Sequence, residues 1–156
     1  MNEEVQLIIF TLENNGVSCE YGVPIDQVQE IIKVKDNTKL PQTPSFVEGI
    51  INLRGQVVPI IDLKKRFGIT GAVRTENSRI VVTDLQDMKT GMIVDDVNEV
   101  IKVAKKDITN APGITKGANS RYLSGVANLD GRLIIIIDLH KILCEEEQEQ
   151  ILEKRA

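Results

Sequence analysis

The hydrophobic positions fall in short runs dominated by Ile and Val, which favour strands, and at 28–34 they alternate with polar ones at the period of two of a half-buried strand. Residues 5–12, VQLIIFTL, predict a first strand. Asn15-Gly16 between apolar runs predicts a hairpin, with a return strand over 17–25. Pro24 near its end marks an edge or a bend. A third strand follows over 28–34, with Val28, Glu30, Ile32 and Val34 on one face and Gln29, Ile31, Lys33 and Lys35 on the other. Residues 36–45, DNTKLPQTPS, have the chemistry of a loop. The run 46–53 is apolar and extended, and Gly49 inside it predicts a bulge or a close backbone approach. Arg54-Gly55 is a turn, 56–61 a strand with Pro59 as a further edge or bend marker, and 69–78 a polar connector. Asp62 caps a short helical turn that ends at Gly68. A strand at 79–84, a turn at 85–90, a return strand at 91–94 and a strand at 95–103 come next. A polar, glycine-containing loop covers 105–121. After a last extended run from Tyr122, Asp138 caps a C-terminal helix with Leu139, Ile142 and Leu143 as its apolar stripe and a charged tail at 146–156.

Much of this pattern occurs twice. Gly49, Asn52, Leu53, Gly55, Asp62 and Leu63 recur 76 positions later as Gly125, Asn128, Leu129, Gly131, Asp138 and Leu139. Gly22, Asp26, Val28, Glu30, Ile32, Lys33 and Val34 recur at an offset of 69 as Gly91, Asp95, Val97, Glu99, Ile101, Lys102 and Val103. An internal repeat outranks local assignments, so the chain is one unit duplicated. Short strands with closely spaced turns suggest two small five-stranded barrels. Neither copy alone has much core, so the two are expected to pack into a single domain over 1–156. The first subdomain covers about 17–78 and the second about 79–145; the pattern leaves open which of them takes the strand at 5–12.

Composition narrows the function. A net charge of −4 and 3% aromatic residues without tryptophan give neither a cationic footprint nor a stacking platform for nucleic acid. The longest apolar run, Leu133 to Ile137, is far too short to cross a bilayer. The N-terminus has no signal-peptide pattern. Cys19 and Cys144 lack metal-ligand spacing and are expected to be buried, reduced thiols, which fits a cytoplasmic protein. There is no glycine-rich phosphate loop. His140 reads as a surface or half-buried helix residue, and Asp95-Asp96 as a structural turn, since Asp95 repeats Asp26. No catalytic set, metal site or cofactor is expected.

One polar position resists the bland explanation. Glu30 lies on the apolar face of its strand, between Val28 and Ile32, and an ionised carboxylate there needs a partner or a wet groove. Arg54 is a plausible partner. In the second copy Glu99 takes the same place, but the residue matching Arg54 is Asp130, and Arg132 is the nearest cation. An apolar groove with one central ion pair suits an amphipathic helix from another protein.

These stretches, above all Tyr21 to Val34 (YGVPIDQVQEIIKV) and Phe46 to Leu63 (FVEGIINLRGQVVPIIDL), with Gly91 to Ile101 (GMIVDDVNEVI) in support, resemble the CheW family of bacterial chemotaxis coupling proteins. The likeness extends over about residues 5 to 145. It implies a mainly β, non-enzymatic adaptor of two SH3-like barrels with a core between them. It implies two partners: the regulatory domain of the histidine kinase CheA, and the cytoplasmic tip of methyl-accepting chemoreceptors in arrays beneath the inner membrane. By the same resemblance the receptor-facing positions are Val28, Glu30, Arg54, Ile80 and Val100, and the kinase-facing ones Pro44, Phe46, Val47 and Gly49. The rival readings are a β-barrel binding module for a small ligand or oligonucleotide, and a minor hydrolase built on Asp95, Asp96 or His140.

Overall fold

The structure, a computed structural model, describes residues 3–14, 16–69, 75–85, 88–109 and 122–142. Within them the chain is mainly β, as expected, and its strands form two sheets. The strands are β1 (Glu4–Asn14), β2 (Val17–Pro24), β3 (Glu30–Lys33), β4 (Val47–Leu53), β5 (Gln56–Asp62), β6 (Arg79–Leu85), β7 (Met88–Val94), β8 (Asp96–Ala104), β9 (Ile108–Thr109), β10 (Leu123–Leu129) and β11 (Arg132–Ile137). A four-residue helix, α1 (Leu63–Arg66), follows β5.

The sheets do not follow the two halves of the chain. One has the order β3-β6-β7-β5-β4, the other β8-β1-β2-β11-β10-β9. The first hairpin, β1–β2, thus lies in the sheet of the second half, and its repeat mate β6–β7 lies in the sheet of the first. A division into 17–78 and 79–145 does not coincide with the two sheets: both hairpins are exchanged, not only the strand at 5–12. The reason is the parallel pairing of β5 with β7 and of β11 with β2, which needs partners far apart in the chain and leaves no local signature.

The repeated residues explain themselves at the turns. Arg54-Gly55 and Asp130-Gly131 each carry positive φ at both positions (52° and 82°; 51° and 89°) between strands in two-residue register, the mirror-image turn that matches strand twist. Asn52 Oδ1 accepts from the Gly55 N–H at 2.9 Å, and Asn128 Oδ1 from the Gly131 N–H at 3.2 Å. Gly49 is the predicted close approach: a Cβ there would collide with the carbonyl of Thr38, which bridges Ile50 on β4. Pro59, expected at an edge or bend, lies on an inner strand instead. Ile50 opposite it exchanges both its backbone bonds with Thr38, and pairing with β7 starts one residue later at Ile60. No ladder donor is needed where the proline stands.

Three apolar clusters fill the molecule. One lies within the β4–β7 sheet (Ile51, Leu53, Val58, Ile60, Ile80, Val82, Ile93), and one within the other sheet (Leu7, Ile9, Val103, Ala127, Ile134, Ile136). The largest draws on both sheets, including Phe10, Leu12, Val81, Met92, Tyr122 and Ile137. Hydrogen bonds cross the same seam. Gln27 Nε2 donates to Asp138 Oδ1 at 3.0 Å, and Gln27 Oε1 accepts from the Leu139 N–H at 2.8 Å.

Other expectations are corrected. The turn at 85–90 is shorter, because β7 already begins at Met88. Part of the loop at 105–121 is structured: a 3-10 turn at Lys105–Asp107 leads into β9, which pairs with β10. Asp138 does cap, accepting from the His140 N–H, and the described residues after it form a 3-10 turn, Leu139–Lys141. Leu143, Cys144 and the tail at 146–156 lie outside the described residues. Cys19 is half-buried, not enclosed.

Candidate functional site

Glu30 and Arg54 do meet. Arg54 reaches back from its turn and holds the carboxylate with two parallel hydrogen bonds of 2.7 and 2.8 Å, the fork geometry that gives arginine its selectivity for carboxylates. The side chains are 24% and 66% exposed. The pair stands in register with Val82 of the inner cluster, so it covers the end of an apolar interior while facing solvent. The Arg54 hydrogen bond, reinforced by the charges of Arg54, Lys89 and Lys35, holds the Glu30 carboxyl below the usual glutamate range.

The second sheet solves the same problem differently. Arg132, on β11, binds Glu20 on β2 at 2.9 and 2.5 Å and Glu99 on β8 at 3.1 Å. Its hydrogen bond holds the Glu20 carboxyl low. Where the second sheet has Glu20 on β2, the first has Lys89 on β7. One end is thus Glu30 with Arg54 and Lys89, and the other is Arg132 with two glutamates: matched scaffolds with opposite balances of charge.

The remaining positions singled out by resemblance differ in what they offer. Val28 is half-buried against the shared core, and Val100 is 51% exposed on β8, opposite Ile8. Ile80 has no exposed surface and packs in the inner cluster, so it cannot touch a partner in this conformation. Of the other group, Phe46 and Val47 are 8% and 9% exposed, Gly49 is buried and Pro44 is half-buried. That segment contributes backbone and rim more than side-chain area.

The structure adds residues that the sequence pattern did not single out. Lys64 on α1 is nearly enclosed and pairs with Asp95 Oδ2 at 3.1 Å, while the same oxygen accepts from the Glu13 N–H at 2.6 Å. Asp95 is therefore a structural tie between α1 and the first hairpin. His140 is exposed, and among the described residues no three His, Cys, Asp or Glu side chains gather as metal ligands. Arg66 lies 5.0 Å from the Phe46 ring centre and 5.9 Å from that of Tyr122, and donates from Nε to the Ile142 carbonyl at 2.8 Å. Phe10, Tyr21, Phe67 and Tyr122 form a continuous series of ring contacts at 4.8–5.6 Å. No described helix is long and apolar enough to cross a membrane.

Comparison with known proteins agrees with this architecture. The family model for the CheW-like domain matches residues 6–147. The chain is 37% identical to the chemotaxis protein CheW of Klebsiella aerogenes, over 91% of this chain and 83% of that protein. It is 33% identical to that of Treponema pallidum, over 96% and 88%. The crystal structure of the scaffolding protein TtCheW from Thermoanaerobacter tengcongensis superimposes with a TM-score of 0.81 at 39% identity, covering 94% of this chain and 96% of that one. By its sequence across nearly its whole length and by its fold, this chain belongs to the CheW-like family.

Proposed function

We propose that the protein is a non-enzymatic scaffold that couples chemoreceptors to the histidine kinase CheA in chemotaxis signalling. The match to the CheW-like domain over residues 6–147 carries this reading. In finer detail, the chain is one adaptor domain over 1–156 whose two sheets curl into SH3-like barrels. The bridge from Thr38 to Ile50 and the pairing of β9 with β10 support that closure, since each ties the chain leaving an edge strand to the opposite edge. The protein works in the cytoplasm, at receptor arrays beneath the inner membrane.

The receptor's helical tip lies along Val28, Glu30, Arg54 and Val100, with Ile80 as the buried support. An exposed bidentate ion pair gives an apolar helix face a fixed orientation, and exposed valine supplies contact area. The regulatory domain of CheA meets the segment from Pro44 to Gly49. The test is co-purification of full-length protein with a receptor tip fragment and, separately, with the kinase regulatory domain. Arg54→Asp places two carboxylates side by side and is expected to weaken receptor capture by about tenfold or more, as for a lost charge partner at an interface. Kinase capture should persist. Unchanged receptor capture by a folded Arg54→Asp protein would sink the receptor assignment. The rival barrel module for a small ligand or oligonucleotide has no observation in its favour.

A further inference from the structure

We propose that Lys65 and Arg66 of α1 are positioning residues for the kinase-facing segment, and that through Arg66 this surface depends on the second half of the chain. The inference rests on the reading that Pro44 to Gly49 meets the kinase. That segment is largely enclosed, so its shape must be set by what lies beside it. Lys65 Nζ holds Glu48 Oε1 at 2.6 Å. Arg66 lies against the Phe46 ring two residues earlier. The Asp62 N–H, at the start of the helix, donates to the Phe46 carbonyl at 2.8 Å. The segment is thus gripped at Phe46 and at Glu48 by one short element and its capping residue.

Arg66 does more than grip. Its cation also lies 5.9 Å from the ring centre of Tyr122, the repeat mate of Phe46, and its Nε donates to the carbonyl of Ile142, the repeat mate of Arg66 itself. One side chain therefore spans the pseudo-symmetric positions of the two halves. The repeat does not require this: the second copy carries Lys141 and Ile142 at the places of Lys65 and Arg66, and the described residues there form a 3-10 turn. Two apolar faces could be joined by apolar side chains with no desolvated charge. A half-buried guanidinium facing two rings and a carbonyl instead fixes direction as well as contact.

The experiment measures affinity of the full-length protein for purified kinase regulatory domain and for a receptor tip fragment in parallel. Arg66→Gln is expected to weaken kinase-domain binding by about tenfold, the scale of a lost anchor, with receptor-tip affinity unchanged within about twofold. Arg66→Lys keeps the charge over the rings but not the fork, and should recover part of the loss. Lys65→Gln, at a half-exposed side chain that poses little risk to folding, should give a loss of about threefold. A general loss of structure would lower both affinities together, so equal losses overturn the proposal. So does kinase-domain affinity at the wild-type level in both Lys65→Gln and Arg66→Lys. If the wild-type protein fails to bind the kinase domain at all, the adaptor reading itself falls, and this inference with it.

Discussion

A carboxylate among apolar neighbours needs a cation, and Glu30 meets that need through the two-point grip of Arg54. Strand parity put a carboxylate among apolar neighbours, and the need for a partner pointed to Arg54; both features are present, at 2.7 and 2.8 Å. For Glu99 the pattern offered Arg132 only as the nearest cation, without a matching pair; the two do meet, at 3.1 Å. The pattern missed Glu20 as the second carboxylate on Arg132 and Lys64 as the partner of Asp95, because each contact needs a hairpin to leave its own half, β1–β2 for Glu20 and β6–β7 for Asp95. A titration follows from the Glu30 pair. Arg54 holds the folded-state pKa of Glu30 below its ordinary 4.5, so the pair's contribution to stability is present above the unfolded pKa and fades as pH falls through the lower folded one. By carboxyl-detected NMR, Glu30 should titrate below 4.5, and Arg54→Ala should raise its midpoint. A Glu30 midpoint indifferent to Arg54 would mean that the pair does not persist in solution.

At the scale of elements, glycine and asparagine carried more information than hydrophobicity. The paired turns and the close approach at Gly49 were legible because each requires a particular residue type at a fixed place. Pro59 misled, because the rule against proline in inner strands has an exception where the opposite residue bonds elsewhere, as Ile50 does with Thr38. The early start of β7 was illegible because Met88-Lys89-Thr90, though it pairs locally with Thr83 to Leu85, carries little strand pattern of its own, and the two-residue β9 because its partner on β10 is remote. Gly49 provides the sharpest test. A Cβ there runs into the Thr38 carbonyl and the Asn37 side chain, and the first obstacle is backbone, which cannot step aside cheaply. Gly49→Ala should destabilise the protein by about 1–3 kcal/mol, the usual range for overpacking, read as a lower urea midpoint. It should also speed amide exchange at Thr38 and Ile50. Gly55→Ala, where nothing lies within 4 Å, involves only left-handed backbone strain and should cost about 1 kcal/mol.

The whole molecule is held by exchange. Among the described residues β3 has β6 as its only sheet neighbour, and β8 has only β1; each edge strand thus depends on a hairpin from the other half of the chain. The largest apolar cluster also takes residues from both sheets. Duplication was evident from the spacing of glycines, asparagines and aspartates, whereas the exchange was not, because a repeat records what each copy is and not which copy it pairs with. Folding in halves is therefore excluded on physical grounds. Cutting between residues 78 and 79 leaves β3, β4 and β5 without the two strands that stand between β3 and β5. The other fragment keeps β8 and β11 without the two strands that join them. Few-stranded remnants with exposed apolar faces are not stable alone. Fragments 1–78 and 79–156 are expected to give unfolded amide spectra separately and to recover the native spectrum when mixed. The intact chain should melt in one transition by every probe. A dispersed spectrum from either fragment alone would show that a half has its own sufficient core, and that the exchanged hairpins are an ornament on two independent bodies rather than the bond between them.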